Sequence, residues 1–145
     1  MKSERRLPAL PNEPNATVQS NFDRLERRSQ RRAIRAIKSL PFNSNFYRNA
    51  QEEGLSAEHV LERAGEYQLV GTNWFRNAES IDAAFRWLIT LGILRREVDG
   101  QGLTSRVRVT PLGRQLLTSS QDLPHQRANP LDRLRNWLRR LWSWQ

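Results

Sequence analysis

The stretch ILRREVDGQGLTSRVRVTPLG, residues 93–113, leaves the chain few options beyond a two-stranded hairpin that runs straight into a helix. Ile93 to Val98 and Ser105 to Thr110 alternate apolar with polar side chains, the period of a strand with one covered face. Asp99, Gly100, Gln101 and Gly102 between them carry turn chemistry. The alternation sends Val107 and Val109 to a core and Arg106 and Arg108 outward, with Arg95 and Arg96 on the partner strand. Thr110 is placed to cap the next helix and Pro111 to occupy its first position, with Leu112, Leu116 and Leu117 as its packing face. Upstream, Ser80 can cap a helix that lines Ile81, Ala84, Phe85, Leu88 and Leu91 along one face, and Gly92 can end it.

A chain of 145 residues can bury one modest core. Hydrophobic residues make up 37%, charged residues 27%, and the mean hydropathy is −0.76, so part of the chain is expected to stay unpacked. The absence of cysteine excludes disulfides, zinc–thiolate sites and thiol catalysis. The N-terminus lacks the apolar core of a secretion signal, and no apolar run reaches the roughly 20 residues of a bilayer span. The expectation is a cytoplasmic protein, with peripheral attachment to a membrane left open. His59 and His125 have no partner arrangement in sequence and are read as surface residues. There is no Gly-rich phosphate loop and no His-x-x-x-His pair. We therefore expect no catalytic residue, no metal, no cofactor and no enzymatic activity.

Four segments follow from composition. Residues 1–19, with Pro8, Pro11 and Pro14, read as a flexible tail, 20–120 as the folded domain, 121–129 as a linker and 130–145 as an amphipathic Arg/Trp helix. The domain opens with a helix over 20–40, capped by Ser20 and stopped by Pro41. Its apolar stripe is Phe22, Leu25, Ser29, Ala33, Ile34, Ile37 and Leu40. Two short helices follow, one from Ser44 to a closing Gly54 and one from Ser56 to a closing Gly65. Ala50, Gly54 and Val60 sit at offsets resembling a helix-turn-helix, but the surrounding acidic residues lead us to read this pair as scaffold. Tyr67 to Val70 is read as a short strand and Gly71 to Asn77 as a loop or short helix. In the last segment Asn129-Pro130 opens a helix with Leu131, Leu134, Trp137, Leu138, Leu141 and Trp142 on one stripe. Arg133, Asn136, Arg139 and Arg140 lie opposite.

Charge narrows the partner. The net charge is +9 and the pI about 11.4, and all but Lys2 and Lys38 of the 24 basic residues are arginine. Codon usage in a GC-rich genome explains the arginine excess equally well, but the charge still requires an anionic partner, nucleic acid or a membrane surface. Residues 20–40 hold seven basic against two acidic residues, 80–120 six against three, and 121–145 five against two. Residues 41–79 reverse the balance, with three basic against six acidic. A guanidinium grips phosphate at two points, which an ammonium does not.

The order capped helix, Leu-Gly-Ile-Leu, arginine hairpin, Val-Thr-Pro-Leu-Gly, helix resembles the C-terminal half of bacterial winged helix-turn-helix regulators. In that family the recognition helix ends in Leu-x-x-x-Gly-aliphatic, a two-stranded wing follows, and a Leu/Val-Thr-Pro-x-Gly turn enters the next helix. Leu88, Gly92, Ile93, Val109, Thr110, Pro111 and Gly113 occupy those places, and the likeness covers residues 78–118. It departs upstream, where the helix before the recognition helix should fall near 67–76 and the sequence is irregular. The resemblance implies a mainly α fold with a small β-hairpin, a winged helix-turn-helix domain flanked by the basic N-terminal helix and the C-terminal amphipathic helix. It implies DNA binding and transcriptional regulation. Bases would be read from the exposed helix face, Ser80, Ala83 and Arg86, with Glu79 and Asp82 beside them. Arg95, Arg96, Arg106, Arg108 and Arg114 would contact phosphates.

Other readings stand beside this one. Glu79 and Asp82 repel phosphate, Glu97 can pair with a neighbouring arginine, and winged helices also bind proteins. Leu134, Trp137, Leu138, Leu141 and Trp142 suit either an anionic membrane surface or a helix docked on the domain or a partner. The alternative function is therefore a protein-interaction or assembly factor held at a membrane surface. The helix at 20–40 suits phosphate contact, RNA contact through Arg27, Arg28, Arg31 and Arg32, or packing in a homodimer.

Overall fold

The computed structural model describes residues 14–119 together with Pro124, Leu134 and Leu138. The described chain is mainly helical with one antiparallel two-stranded hairpin. Its order is α1 (Pro14–Ser39), α2 (Ser44–Glu52), α3 (Ala57–Glu62), α4 (Ala64–Tyr67), α5 (Ala78–Thr90), β1 (Leu94–Asp99), β2 (Gly102–Val109) and α6 (Pro111–Ser119).

α1 begins at Pro14, six residues before the expected Ser20 cap. Residues 14–19 of the expected tail are thus helical, and residues 1–13 lie outside the described residues. Proline tolerates this position because the first turn of a helix has no use for its missing N–H. Only the second half of the expected stripe packs: Ala33, Ile37 and Leu40 are buried, Ile34 is half-buried and Ala36 is buried beside them, whereas Phe22, Leu25 and Ser29 stand in solvent.

α2 is capped by Asn43 rather than by Ser44. The Asn43 side-chain carbonyl accepts from the Phe46 N–H at 3.1 Å, and its amide donates to the Glu66 carbonyl at 2.8 Å. Only a side chain with both an acceptor and a donor can cap one helix and hold another. Gly54 does not close α2 through a left-handed conformation, since its φ is not positive. It is extended chain leading to Leu55, which exchanges hydrogen bonds with Val107 across the free edge of β2 (3.1 and 2.9 Å). α3 is capped by Ser56 as expected, through the His59 N–H at 3.2 Å. Gly65 does not end it; the helix breaks at Arg63, and Gly65 lies within α4. Tyr67 is the buried last residue of α4 rather than the start of a strand, and only Gln68 pairs, in a single bridge with Phe42. Residues 70–77 form a loop anchored by buried Phe75.

α5 packs against α3 and β1. It buries Ile81, Ala84, Phe85 and Leu88 as expected, and also Trp87. Its C-terminus is closed by Gly92 at φ 74°, with Gly92 N–H donating to the Ile89 carbonyl and Ile93 N–H to the Leu88 carbonyl, both at 2.9 Å. That pair of bonds needs a left-handed residue, which glycine adopts without a steric penalty. In the hairpin Leu94 faces Val109, Arg95 faces Arg108, Arg96 faces Val107, Val98 faces Leu103 and Asp99 faces Gly102. The loop is therefore only Gly100 and Gln101, tighter than the connection 99–104 left between the two expected strands, and a bulge interrupts the ladder between Arg96 and Val98. α6 starts at Pro111 with Thr110 as cap, its hydroxyl accepting from Gly113 N–H at 3.0 Å and donating to the Gly92 carbonyl. Gly113 has a packing reason: a Cβ there would lie 2.5 Å from the Ile93 carbonyl oxygen.

The core is aromatic at its centre. Phe42 stacks on Phe46 with centroids 4.1 Å apart, Phe85 stacks on Phe46 at 5.7 Å, and Tyr47, Tyr67 and Phe75 close around them. Ile81, Leu88, Ile93, Leu94, Val107 and Val109 extend it to the hairpin.

Candidate nucleic-acid interface

The residues singled out on α5, the hairpin and α6 divide by their partners. Asp82 lies on the solvent side of α5 and organises two arginines. Arg86, one turn on, is 3.6 Å from Oδ2, and Arg96 from β1 reaches Oδ1 at 2.6 Å. Arg96 also donates to the Ser105 carbonyl at 2.6 Å. Arg96 shares a face with Leu94 and Val107, the covered face of the hairpin, so it is half-buried rather than presented to solvent. A one-residue step in a strand reverses the side chain, which is why Arg95 and Arg96 cannot serve alike.

Arg108 stands directly opposite Arg95, an unfavourable pairing of like charges. Glu97, inside the bulged region, relieves it by accepting from Arg108 Nε, and Arg108 Nη1 also donates to the Glu52 carbonyl at 3.3 Å. The expected pairing of Glu97 with a hairpin arginine is present. Gly54 makes it possible, because a Cβ at that position would collide with the Glu97 carboxylate. Arg108 is therefore tied down and half-buried, not free as the alternation implied.

Arg95, Arg106 and Arg114 are exposed and have no side-chain partner among the described residues. Ser80 is half-buried and occupied with its own helix start: its N–H donates to Asn77 Oδ1 and its hydroxyl to the Asn77 carbonyl, both at 2.8 Å. It is not the cap of α5; Asn77 is. Ala83 is half-buried, while Glu79 and Arg86 are exposed. The structure thus brings Arg86 and Arg96 together on Asp82, and leaves Arg95, Arg106 and Arg114 without a compensating partner among the described residues.

Three features escaped the sequence reading. The Asp82–Arg86 spacing marks a helical ion pair, but nothing local points to Arg96, 14 residues on, as the second partner. Exposed Trp74 and Arg76 flank buried Phe75 in the loop entering α5. His59 is half-buried, its ring 6.2 Å from Tyr67 and its Nε2 without a partner among the described residues, so it is not the surface residue expected.

Leu134 and Leu138 are helical and exposed; Trp137, Leu141 and Trp142 lie outside the described residues. Among the described residues no group of three or more His, Asp or Glu could hold a metal ion, and no helix is long and apolar enough to cross a membrane. The chain belongs to the Npun_F0494-like family, whose model matches residues 23–140. No curated protein and no solved structure matches it.

Proposed function

We propose that this protein is a non-enzymatic DNA-binding protein of winged helix-turn-helix type, acting as a transcriptional regulator. The observation that carries the proposal is the Asp82–Arg96 contact, which joins the outer face of α5 to a hairpin bearing the exposed, unpartnered Arg95 and Arg106. In this reading α5 enters the major groove with Ala83 and Arg86 toward the base edges. The hairpin and Arg114 rest on phosphates. Arg96 acts by position, its bond to Asp82 fixing the angle between helix and hairpin, while Arg108 is held within the hairpin by Glu97.

The element order supports the reading. α2, the single bridged residue Leu55, α3, α5, β1 and β2 follow the sequence of helix, short strand, helix, recognition helix and wing. The counterpart of the helix before the recognition helix is then α3, and the short α4 and the loop 68–77 stand between it and α5 in place of the family's tight turn. Five of the six acidic residues of 41–79 lie in α2 to α4 and their connections and so need not face phosphate, whereas Glu79 is exposed in the first turn of α5.

Binding to random-sequence duplex DNA across a salt series tests this. Wild type is expected to bind at low ionic strength and weaken steeply with salt. Arg95→Gln/Arg106→Gln/Arg114→Gln should lower the log–log slope by roughly 2 to 3, since each lost phosphate contact removes about one unit. No shift of any duplex, or identical slopes, overturns it. A second reading, an assembly factor at a membrane surface, is favoured by exposed Leu134 and Leu138. It predicts pelleting with anionic vesicles that Leu134→Ser/Leu138→Ser abolishes.

A further inference from the structure

We infer that the outer face of α1 is a second phosphate-binding surface, separate from the hairpin, which lies along the backbone of duplex DNA. The choice of DNA over duplex RNA rests on the nucleic-acid reading above; the surface itself does not. Arg24, Arg28, Arg31, Arg35 and Lys38 succeed one another at steps of four, three, four and three residues. Such steps keep them in one line along a helix, roughly 21 Å long at 1.5 Å per residue. Arg27 and Arg32 flank the line. At about 100° per residue, all of these cations fall within roughly 140° of the helix circumference. Ala33, Ala36, Ile37 and Leu40, which the domain buries, lie on the opposite side, so the ridge points away from the core.

No described residue neutralises the ridge. Arg24, Arg27, Arg28, Arg31 and Arg32 are exposed, and Arg35 and Lys38 are half-buried. Among the described residues none of them takes part in an ion pair. Arg27 and Arg35 donate through Nε to the carbonyls of Asp23 and Arg31, both at 3.2 Å, which engages one donor of each guanidinium. The two acids of this stretch, Asp23 and Glu26, fall outside the basic arc, and Glu26 accepts from Gln30 at 3.5 Å. The hairpin is different: there Asp82 and Glu97 claim Arg96 and Arg108. Codon usage raises the number of arginines, but it does not gather them on one face of a helix and keep the acids off it.

Charge and shape together select the occupant. A straight row of guanidinium groups matches a row of phosphates, each of which a guanidinium grips at two points. A duplex supplies such a row: at 3.4 Å per phosphate along each strand, the ridge spans about six. Single strands are held by stacking bases on aromatic side chains as well as by charge, and the arc contains no aromatic residue. A membrane-surface helix buries apolar side chains beneath its basic face. Alongside Arg28 to Lys38 the apolar side of α1 is already buried in the domain, and the exposed Val18, Phe22 and Leu25 all lie before Arg28. From Thr17 to Ser39 the other positions within the arc are Thr17, Ser20, Asn21 and Ser39, none of them apolar.

The salt series on random-sequence duplex DNA, with the full chain, tests the inference through Arg28→Gln/Arg31→Gln. Both side chains are exposed, and an unchanged thermal melt checks that the variant folds. It should lower the log–log slope by roughly 2, about one unit per phosphate contact. Arg28→Lys/Arg31→Lys keeps the charges and should keep the slope. Arg48→Gln/Arg63→Gln removes the same charge from exposed positions off the ridge and should leave the slope at the wild-type value. A ridge variant with the wild-type slope, or an off-ridge variant that loses as much, overturns the inference. So does tighter binding to duplex RNA of equal length that the ridge variant abolishes, or a ridge variant that loses only its pelleting with phosphatidylserine vesicles. The two readings fail separately. A slope lowered by the ridge variant but not by Arg95→Gln/Arg106→Gln/Arg114→Gln supports the ridge and overturns the hairpin contact, and the reverse overturns the ridge alone.

Discussion

α5 and the first half of α1 carry apolar stripes of the same spacing, and only one of them is covered. In α5, Ile81, Ala84, Phe85 and Leu88 are buried against α3, the aromatic cluster and the hairpin. In α1, Val18, Phe22 and Leu25 face solvent although Ala33, Ala36 and Ile37 on the same side are buried. Period therefore states which face of a helix wants cover and says nothing of what supplies it. α5 lies between two elements that close upon it in sequence order; α1 simply outruns the domain it starts from.

The largest effects should separate the two stripes. Phe85→Ala removes a fully buried ring from the stacked cluster and is expected to cost about 3–5 kcal/mol in chemical denaturation. Phe22→Ala should change stability by less than about 0.5 kcal/mol. Comparable losses would mean that the first half of α1 is packed on its own chain after all.

Glycine substitutions sharpen the same contrast at smaller scale. Gly113→Ala forces a methyl to within 2.5 Å of the Ile93 carbonyl oxygen and 2.8 Å of Val109 Cγ1, and should cost roughly 1–3 kcal/mol as α6 is pushed off the hairpin base. At Gly65 an added Cβ meets nothing within 4 Å, and Gly65→Ala should be neutral or stabilise by up to about 1 kcal/mol. A thermal melt of each variant suffices, and a tolerated Gly113→Ala would show that α6 is only loosely seated.

The smallest effect probes the interior of the covered region. The Tyr47 hydroxyl is buried without a partner among the described residues, so Tyr47→Phe is expected to be neutral or to raise stability by about 1 kcal/mol. Burial also pushes the Tyr47 phenol well above its ordinary 10.0. A raised value means that the folded chain holds the proton after the unfolded chain has lost it. Stability from this group is intact below pH 10 and declines above it, and Tyr47→Phe should flatten that alkaline decline. A variant that loses stability at neutral pH would reveal a partner for the hydroxyl.

How much the sequence disclosed depended on the range of the interaction. The helix stop at Gly92 and the helix start at Thr110-Pro111 were readable residue by residue, because each acts on backbone atoms within a turn of itself. The caps of α2 and α5 were misplaced by one and three residues, since Asn43 and Ser44, or Asn77 and Ser80, are equally able in isolation. Asn43 prevails because it also donates to Glu66, which no local rule predicts. The outward arginines were the least readable part of the site. Alternation separates Arg106 from Val107 but cannot foresee that Asp82 claims Arg96 or that Glu97 claims Arg108.

The sequence by itself determined the elements with local chemistry: an apolar-faced helix before a glycine stop, a hairpin, a Thr-Pro helix start, and a surplus of arginine. Only the tertiary structure decided which of those arginines remain free, which glycines are needed for contact rather than conformation, and which half of α1 is covered. The reason is physical. Caps, turns and periodicity are satisfied within a few residues, whereas burial and charge neutralisation depend on groups the chain brings back from far away, as it brings Glu97 to Gly54 and Asp82 to Arg96.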